Sequence, residues 1–168
     1  MNGVGNFRFP WVGKIGFPLT LDDAELAYSH GRCLSELGRP AEAVAPLQRA
    51  VELDPAHANA FIALGVAFAR TGRADEAASA LRDAVKLEPE NAFAKRNLAA
   101  VLMRADRAAE ALPFFRQAAS LAPADPGAQL GLAQCLEELG PSHVKEAAEQ
   151  YKAVVKRCPD HQAGEMAE

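Results

Sequence analysis

From about residue 24 onward, apolar residues fall three and four places apart. In one stretch Phe61, Leu64, Gly65 and Phe68 follow the i, i+3, i+4, i+7 spacing of a helix with one buried stripe, and Ala77, Leu81 and Ala84 repeat it shortly afterwards. Between these two stretches lies Gly72-Arg73, where glycine supplies the positive φ of a helix C-terminus. Gly38-Arg39, Asp106-Arg107 and Gly140-Pro141 occupy the corresponding places elsewhere. Prolines 55, 89, 123 and 159 recur at intervals of 34, 34 and 36 residues, each after an apolar helical ending that it cannot continue: Ala50 to Pro55, Ala84 to Pro89, Ala118 to Pro123 and Val154 to Pro159. The pattern predicts eight helices in four hairpins.

The order of large, small and proline residues resembles the tetratricopeptide repeat. Residues 58–91 carry it most fully, through Phe61, Leu64, Gly65, Phe68, Ala77, Leu81, Ala84 and Pro89. Residues 24–57 supply Gly31, Leu34, Ala43, Leu47, Ala50 and Pro55; residues 92–125 supply Leu98, Ala99, Leu102, Ala111, Phe115, Ala118 and Pro123. Residues 126–161 supply Leu132, Ala133, Leu136, Ala147, Tyr151, Val154 and Pro159, with two extra residues near Pro141-Ser142-His143. The resemblance implies an all-α, right-handed superhelical solenoid over residues 24–161, stabilised by stacking because a lone hairpin cannot bury its stripe. Residues 1–23 form a separate arm and 162–168 a tail or the start of a capping helix.

Several residues depart from the pattern. His30 stands where the repeat places a leucine, and a partly covered packing role is expected for it. Pro46 and Pro113 lie inside second helices, beyond the first turn where proline is free of cost, and are expected to bend them. In the arm, Phe7-Arg8-Phe9-Pro10-Trp11, Ile15 and Phe17 alternate with glycines and prolines that forbid a long helix. Such an arm can fold back over the first repeat, dock in the groove of a second copy to give a homodimer, or remain disordered.

Composition narrows the functional classes. The net charge of −4, with no run of like charges, gives no footprint for nucleic acid. No apolar run approaches the roughly 18 residues that cross a bilayer, and no secretion signal is evident, so no membrane partner and a cytoplasmic setting are expected. Cys33, Cys135 and Cys158 lack CxxC spacing, and the four histidines lack i, i+4 pairing, so reduced thiols and neither metal nor cofactor are expected. Cys33 and Cys135 occupy equivalent places three repeats apart, too far for a disulfide. No nucleophile with a base, no carboxylate pair in contrasting environments and no phosphate loop emerges, so the expectation is a non-catalytic module.

Resemblance to the tetratricopeptide family implies a protein or peptide partner held in the concave groove. An adaptor or scaffold is the leading reading. A substrate-recruiting region of a larger enzyme, such as a glycosyltransferase with similar repeats, and a self-assembling scaffold are the alternatives. Helical geometry identifies the groove face as the one opposite the core stripe of each first helix. It comprises Glu25, Tyr28, Ser29, Arg32 and Glu36 in the first repeat, Asn59, Ile62, Ala63, Val66, Ala69 and Arg70 in the second, and Phe93, Arg96, Asn97, Ala100, Met103 and Arg104 in the third. Ile62, Val66, Phe93 and Met103 are expected to form an exposed apolar patch bordered by Arg32, Arg70, Arg96 and Arg104. The competing expectation is that curvature packs these apolar side chains against neighbouring helices and leaves a solvated arginine face. The third repeat is also the only positive one, with five basic against three acidic residues. The carboxylate clamp of some chaperone cofactors is not reproduced, since its places hold Tyr28, Arg32, Ala63, Phe93 and Asn97. An extended or helical peptide with apolar anchors and some acidic character is the expected ligand.

Overall fold

The computed structural model describes residues 21–157, with the side chains described from 23 to 156. The expectations for the arm, the tail, Cys158, Pro159 and His161 lie outside the described residues. Eight α-helices follow one another: α1 (Leu21–Glu36), α2 (Pro40–Leu53), α3 (Ala58–Arg70), α4 (Ala74–Leu87), α5 (Ala92–Arg104), α6 (Ala108–Leu121), α7 (Pro126–Glu138) and α8 (Val144–Arg157), with a 3₁₀ turn at Pro141–His143. Each odd helix pairs with the even helix after it, and each even helix packs on the next odd one, giving a stack of four hairpins. The extra residues of the last hairpin are taken up by the 3₁₀ turn.

The turns inside the first three hairpins are the same structure built three times. Gly38 and Gly72 have φ of 75° and 80°, and Asp106 occupies the equivalent place at φ 57°. Aspartate tolerates this left-handed conformation better than most side chains. The amides of Arg39, Arg73 and Arg107 each donate, at 2.9 Å, to a carbonyl five residues back: Leu34, Phe68 and Leu102. The same three arginines reach forward to Glu42, Glu76 and Glu110 with paired hydrogen bonds, Arg39 Nε to Glu42 Oε1 at 2.7 Å and Arg107 Nε to Glu110 Oε1 at 2.7 Å among them. These hydrogen bonds hold the three carboxyls below the usual carboxylate range. The turns between hairpins are also periodic. His57, Asn91 and Asp125 stand before α3, α5 and α7, and their side chains accept from the amides of Ala60, Ala94 and Gly127.

Ala43, Ala77 and Ala111, and Ala50, Ala84 and Ala118, are fully buried along the even helices. Such small residues let backbones approach. At Gly65 a Cβ atom would lie 2.5 Å from Leu81 Cγ, so a larger residue where α3 crosses α4 would force Leu81 to move, and Gly31 meets Leu47 in the same way across α1 and α2. His30 differs from expectation: it is exposed, because no earlier hairpin among the described residues packs on that side of α1. Helices α2 and α6 continue through Pro46 and Pro113. Cys33 is exposed and Cys135 is buried, both as free thiols; burial, reinforced by the Glu138 carboxylate, pushes the Cys135 thiol up. Tyr151 ties α8 to α7 by donating to Glu137 Oε2 at 2.7 Å, and burial with that contact raises its hydroxyl to about 12.

Two positions contradict their apolar place in the pattern. Where the second hairpin has Phe61, the third and fourth have Lys95 and Gln129, each only 7% exposed. Lys95 Nζ donates to Gln117 Oε1 at 2.6 Å and Gln129 Nε2 to the Pro123 carbonyl at 2.8 Å, so each buries its stem and satisfies its donor on a neighbouring element.

Candidate functional site: the inner groove

Among the described residues α1 touches α3, α3 touches α5 and α5 touches α7, whereas the even helices make no comparable contacts with one another. The odd helices therefore line the inner side of the stack. Three cavities run along them. The first, about 390 Å³, lies between α1, α3 and α5 and is lined by residues that include Tyr28, Ile62, Ala63, Val66 and Phe93. The second, about 240 Å³, shares Val66 and Arg70 with the first and adds Asn97, Ala100 and Arg104. The third, about 340 Å³, shares Asn97, Ala100 and Arg104 with the second and continues past Arg96 and Met103 to Leu130 and Gln134 of α7. Shared walls make the three a single groove.

Most residues named from the sequence for the groove face line these cavities, whereas Ser29 lines none of them and Glu25 lines a separate hollow beside His57. Tyr28, Arg32, Asn59, Ile62, Val66, Arg70 and Phe93 line the first cavity; Asn97 and Arg104 line the second and third; Arg96 and Met103 line the third. Their environments differ from expectation in two respects. Ile62 is 5% exposed and belongs to the core, while Val66 and Met103 are half-buried against it, so the expected apolar patch is instead a floor. Neighbouring odd helices approach closely enough to cover these side chains. Only Phe93, 50% exposed, projects as the patch was expected to.

Arg96 is the second correction. It is expected to be free for a ligand, yet its Nη1 reaches both oxygens of Asp125, at 2.9 and 2.7 Å, and its guanidinium stacks 4.9 Å from the Phe93 ring centroid. It links α5 to the cap of α7. Tyr28 does the equivalent work one end earlier, its ring 4.8 Å from that of His57. His57 Nδ1 accepts from the Ala60 amide, which leaves Nε2 to donate to Glu25 Oε2 at 3.1 Å.

The remaining arginines divide in the same way. Arg32 pairs with Glu36 at 3.6 Å and lies over the Tyr28 ring. Arg70 Nη1 donates to the Ser35 carbonyl at 3.1 Å, and among the described residues neither Arg70 nor Arg104 has a carboxylate partner. Asn97 Nδ2 donates to the Phe93 carbonyl at 2.7 Å. The groove as built thus offers an apolar floor, one aromatic wall and two cations without anionic partners.

Leu130 and Gln134 were not named from the sequence, although they repeat the places of Tyr28 and Arg32 in the fourth hairpin. That register was a usable signal. The contacts of His57 with Glu25, and of Asp125 with Arg96, cross between hairpins and leave no mark on the pattern within one repeat.

Tetratricopeptide repeat family models match residues 28–92 and 62–126, and a second such model matches residues 102–164. The chain belongs to the tetratricopeptide repeat family. As a member it is a protein–protein interaction module of four stacked hairpins. Among solved structures it is similar to YrrB, described as a TPR protein with an unusual peptide-binding site, at 27% identity over 83% of this chain and 71% of that chain, with a TM-score of 0.74. It is also similar in fold to MamA, at 22% identity over 84% and 81% of the two chains and a TM-score of 0.76. A MamA fragment from Desulfovibrio magneticus RS-1 gives 23% identity, 82% and 77% coverage and a TM-score of 0.75. No protein of curated function matches by sequence. None of the described helices is long and apolar enough to cross a membrane.

Proposed function

We propose that the tetratricopeptide solenoid holds a peptide segment of a partner protein in the inner groove, with apolar side chains on the Phe93 wall and the Ile62–Val66 floor and carboxylates at Arg70 and Arg104. The observation that carries this reading is the first cavity: a long, open channel walled by Tyr28, Ala63, Val66 and Phe93 and bordered by Arg70, a cation with no carboxylate partner among the described residues. An apolar channel with convergent polar groups suits a side chain anchored by burial and oriented by charge. Similarity to YrrB, described by its peptide-binding site, supports the same use of this fold. Arg96 has a positioning role here, holding α5 against α7 and the Phe93 ring in place, and is removed from the set of direct carboxylate ligands.

A displayed random-peptide library selected on the full chain tests the reading. Enrichment of apolar and acidic segments, lost when Phe93→Ala is combined with Arg70→Glu, is the expected result. Enrichment that survives this double substitution in a folded protein places the binding surface elsewhere.

A further inference from the structure

The last residues of α1, α3, α5 and α7 fall at one register of the repeat: Glu36, Arg70, Arg104 and Glu138. At that register the charges run negative, positive, positive, negative, and Glu36, Arg70 and Arg104 of the four line the groove. A helix C-terminus favours a cation and disfavours a carboxylate. The dipole accounts for the two arginines but is opposed by the two glutamates, so capping alone does not explain the order. Glu36 is already paired with Arg32, and Glu138 has no cation partner among the described residues. Both arginines line the same 240 Å³ cavity in the middle of the groove, and Arg70, which also lines the first cavity, donates there to the Ser35 carbonyl of the preceding hairpin.

From this ladder, and resting on the peptide-groove reading, we infer that the groove selects an extended segment carrying two carboxylates one repeat apart, preceded by an apolar side chain that enters the Tyr28–Phe93 cavity. Arg70 and Arg104 lie on stacked helices whose axes are about 8–10 Å apart. An extended chain rises about 3.3 Å per residue and its side chains alternate between two sides, so carboxylates two residues apart share one side about 7 Å from each other, within reach of both flexible guanidinium side chains. Adjacent carboxylates point to opposite sides of an extended chain and cannot reach both arginines. Glu36, which lines the first cavity, disfavours further acidic residues at the α1 end of the groove. Spacing, rather than acidity alone, is thus what the ladder reads.

Titration calorimetry on the full chain tests this with three capped peptides that share a leucine followed by Asp-Ala-Asp-Ala, Asp-Asp-Ala-Ala or Asn-Ala-Asn-Ala. The first is expected to bind about tenfold or more tighter than either of the others, as a charge-assisted hydrogen bond is worth about 1.5–3 kcal/mol. That advantage is expected to shrink with added salt and to vanish in Arg70→Gln and in Arg104→Gln, with helicity retained. Equal affinity of the three peptides, still abolished by Phe93→Ala, overturns the ladder and leaves the peptide groove standing. Absence of binding by all three overturns both readings. Binding of a synthetic peptide of residues 1–20 while the acidic peptides remain silent assigns the groove to the N-terminal segment of this chain and also overturns the inference.

Discussion

Each odd helix has two faces that obey different rules. On the face packed against its even partner, equivalent places hold near-identical residues from hairpin to hairpin: Gly31, Gly65, Ala99 and Ala133 at one place, Leu34, Phe68, Leu102 and Leu136 at another. On the groove face the equivalent places hold Arg32, Val66, Ala100 and Gln134, or Glu36, Arg70, Arg104 and Glu138. The packing face is governed by volume, so small residues recur where the helices cross; a Cβ on Gly65 would collide with Leu81. The groove face meets open space, so chemistry can change at every repeat without disturbing the stack. Where a groove residue has been recruited into packing, as Arg96 has by Asp125 and Phe93, it behaves like the other face.

The largest expected effect comes from the packing side. Leu81, fully buried, should cost about 2–5 kcal/mol as Leu81→Ala in urea unfolding followed by circular dichroism, because α3 and α4 cannot close the cavity. Phe93→Ala, at a half-exposed groove residue, should cost under about 1 kcal/mol in the same assay. A comparable loss from both would erase the distinction between the faces.

Arg96 tests the boundary between them. The side chains of Arg96 and Asp125 are 28% and 24% exposed, and Asp125 also caps α7. Arg96→Gln is expected to lose on the order of 1 kcal/mol, and a double-mutant cycle with Asp125→Asn should show coupling of similar size. Purely additive losses would return Arg96 to the free groove surface.

Arg70 and Arg104 should behave in the opposite sense. Arg70→Gln with Arg104→Gln is expected to leave unfolding free energy within about 1 kcal/mol per site, since neither guanidinium has an ion-pair partner to lose among the described residues and what is lost is the hydrogen bond of Arg70 to Ser35 and a modest helix-end interaction. A cooperative collapse of helicity in this pair of substitutions would mean that the ladder is structural.

The smallest expected effect is one of pH, on the turn arginines that belong to neither face. Hydrogen bonds from Arg39, Arg73 and Arg107 hold Glu42, Glu76 and Glu110 below the usual carboxylate range in the folded chain. Their contribution is therefore complete above the ordinary carboxylate pKa and is lost as pH falls through the depressed folded values. Thermal melts of the native chain and of a triple Glu→Gln variant should differ slightly at neutral pH and converge in acid; a gap that persists in acid would show that these pairs do not stabilise the turns.

Much of this was readable in one dimension. Glycine and proline at fixed intervals, and apolar residues three and four apart, determine eight helices and four hairpins, because a turn needs its φ and a helix needs its stripe whatever lies nearby. The groove face followed from the same geometry, since the side opposite a buried stripe must look away from it. What the sequence alone could not decide was which groove residues remain free. The neighbouring hairpin buries Ile62, Asp125 29 residues on engages Arg96, and the buried lysine at Lys95 survives only because Gln117 of the next helix meets its ammonium. Each of these outcomes depends on a partner in another helix, of the same hairpin for Lys95 and of a neighbouring one for the others, and only the packing of helices decides which partners meet.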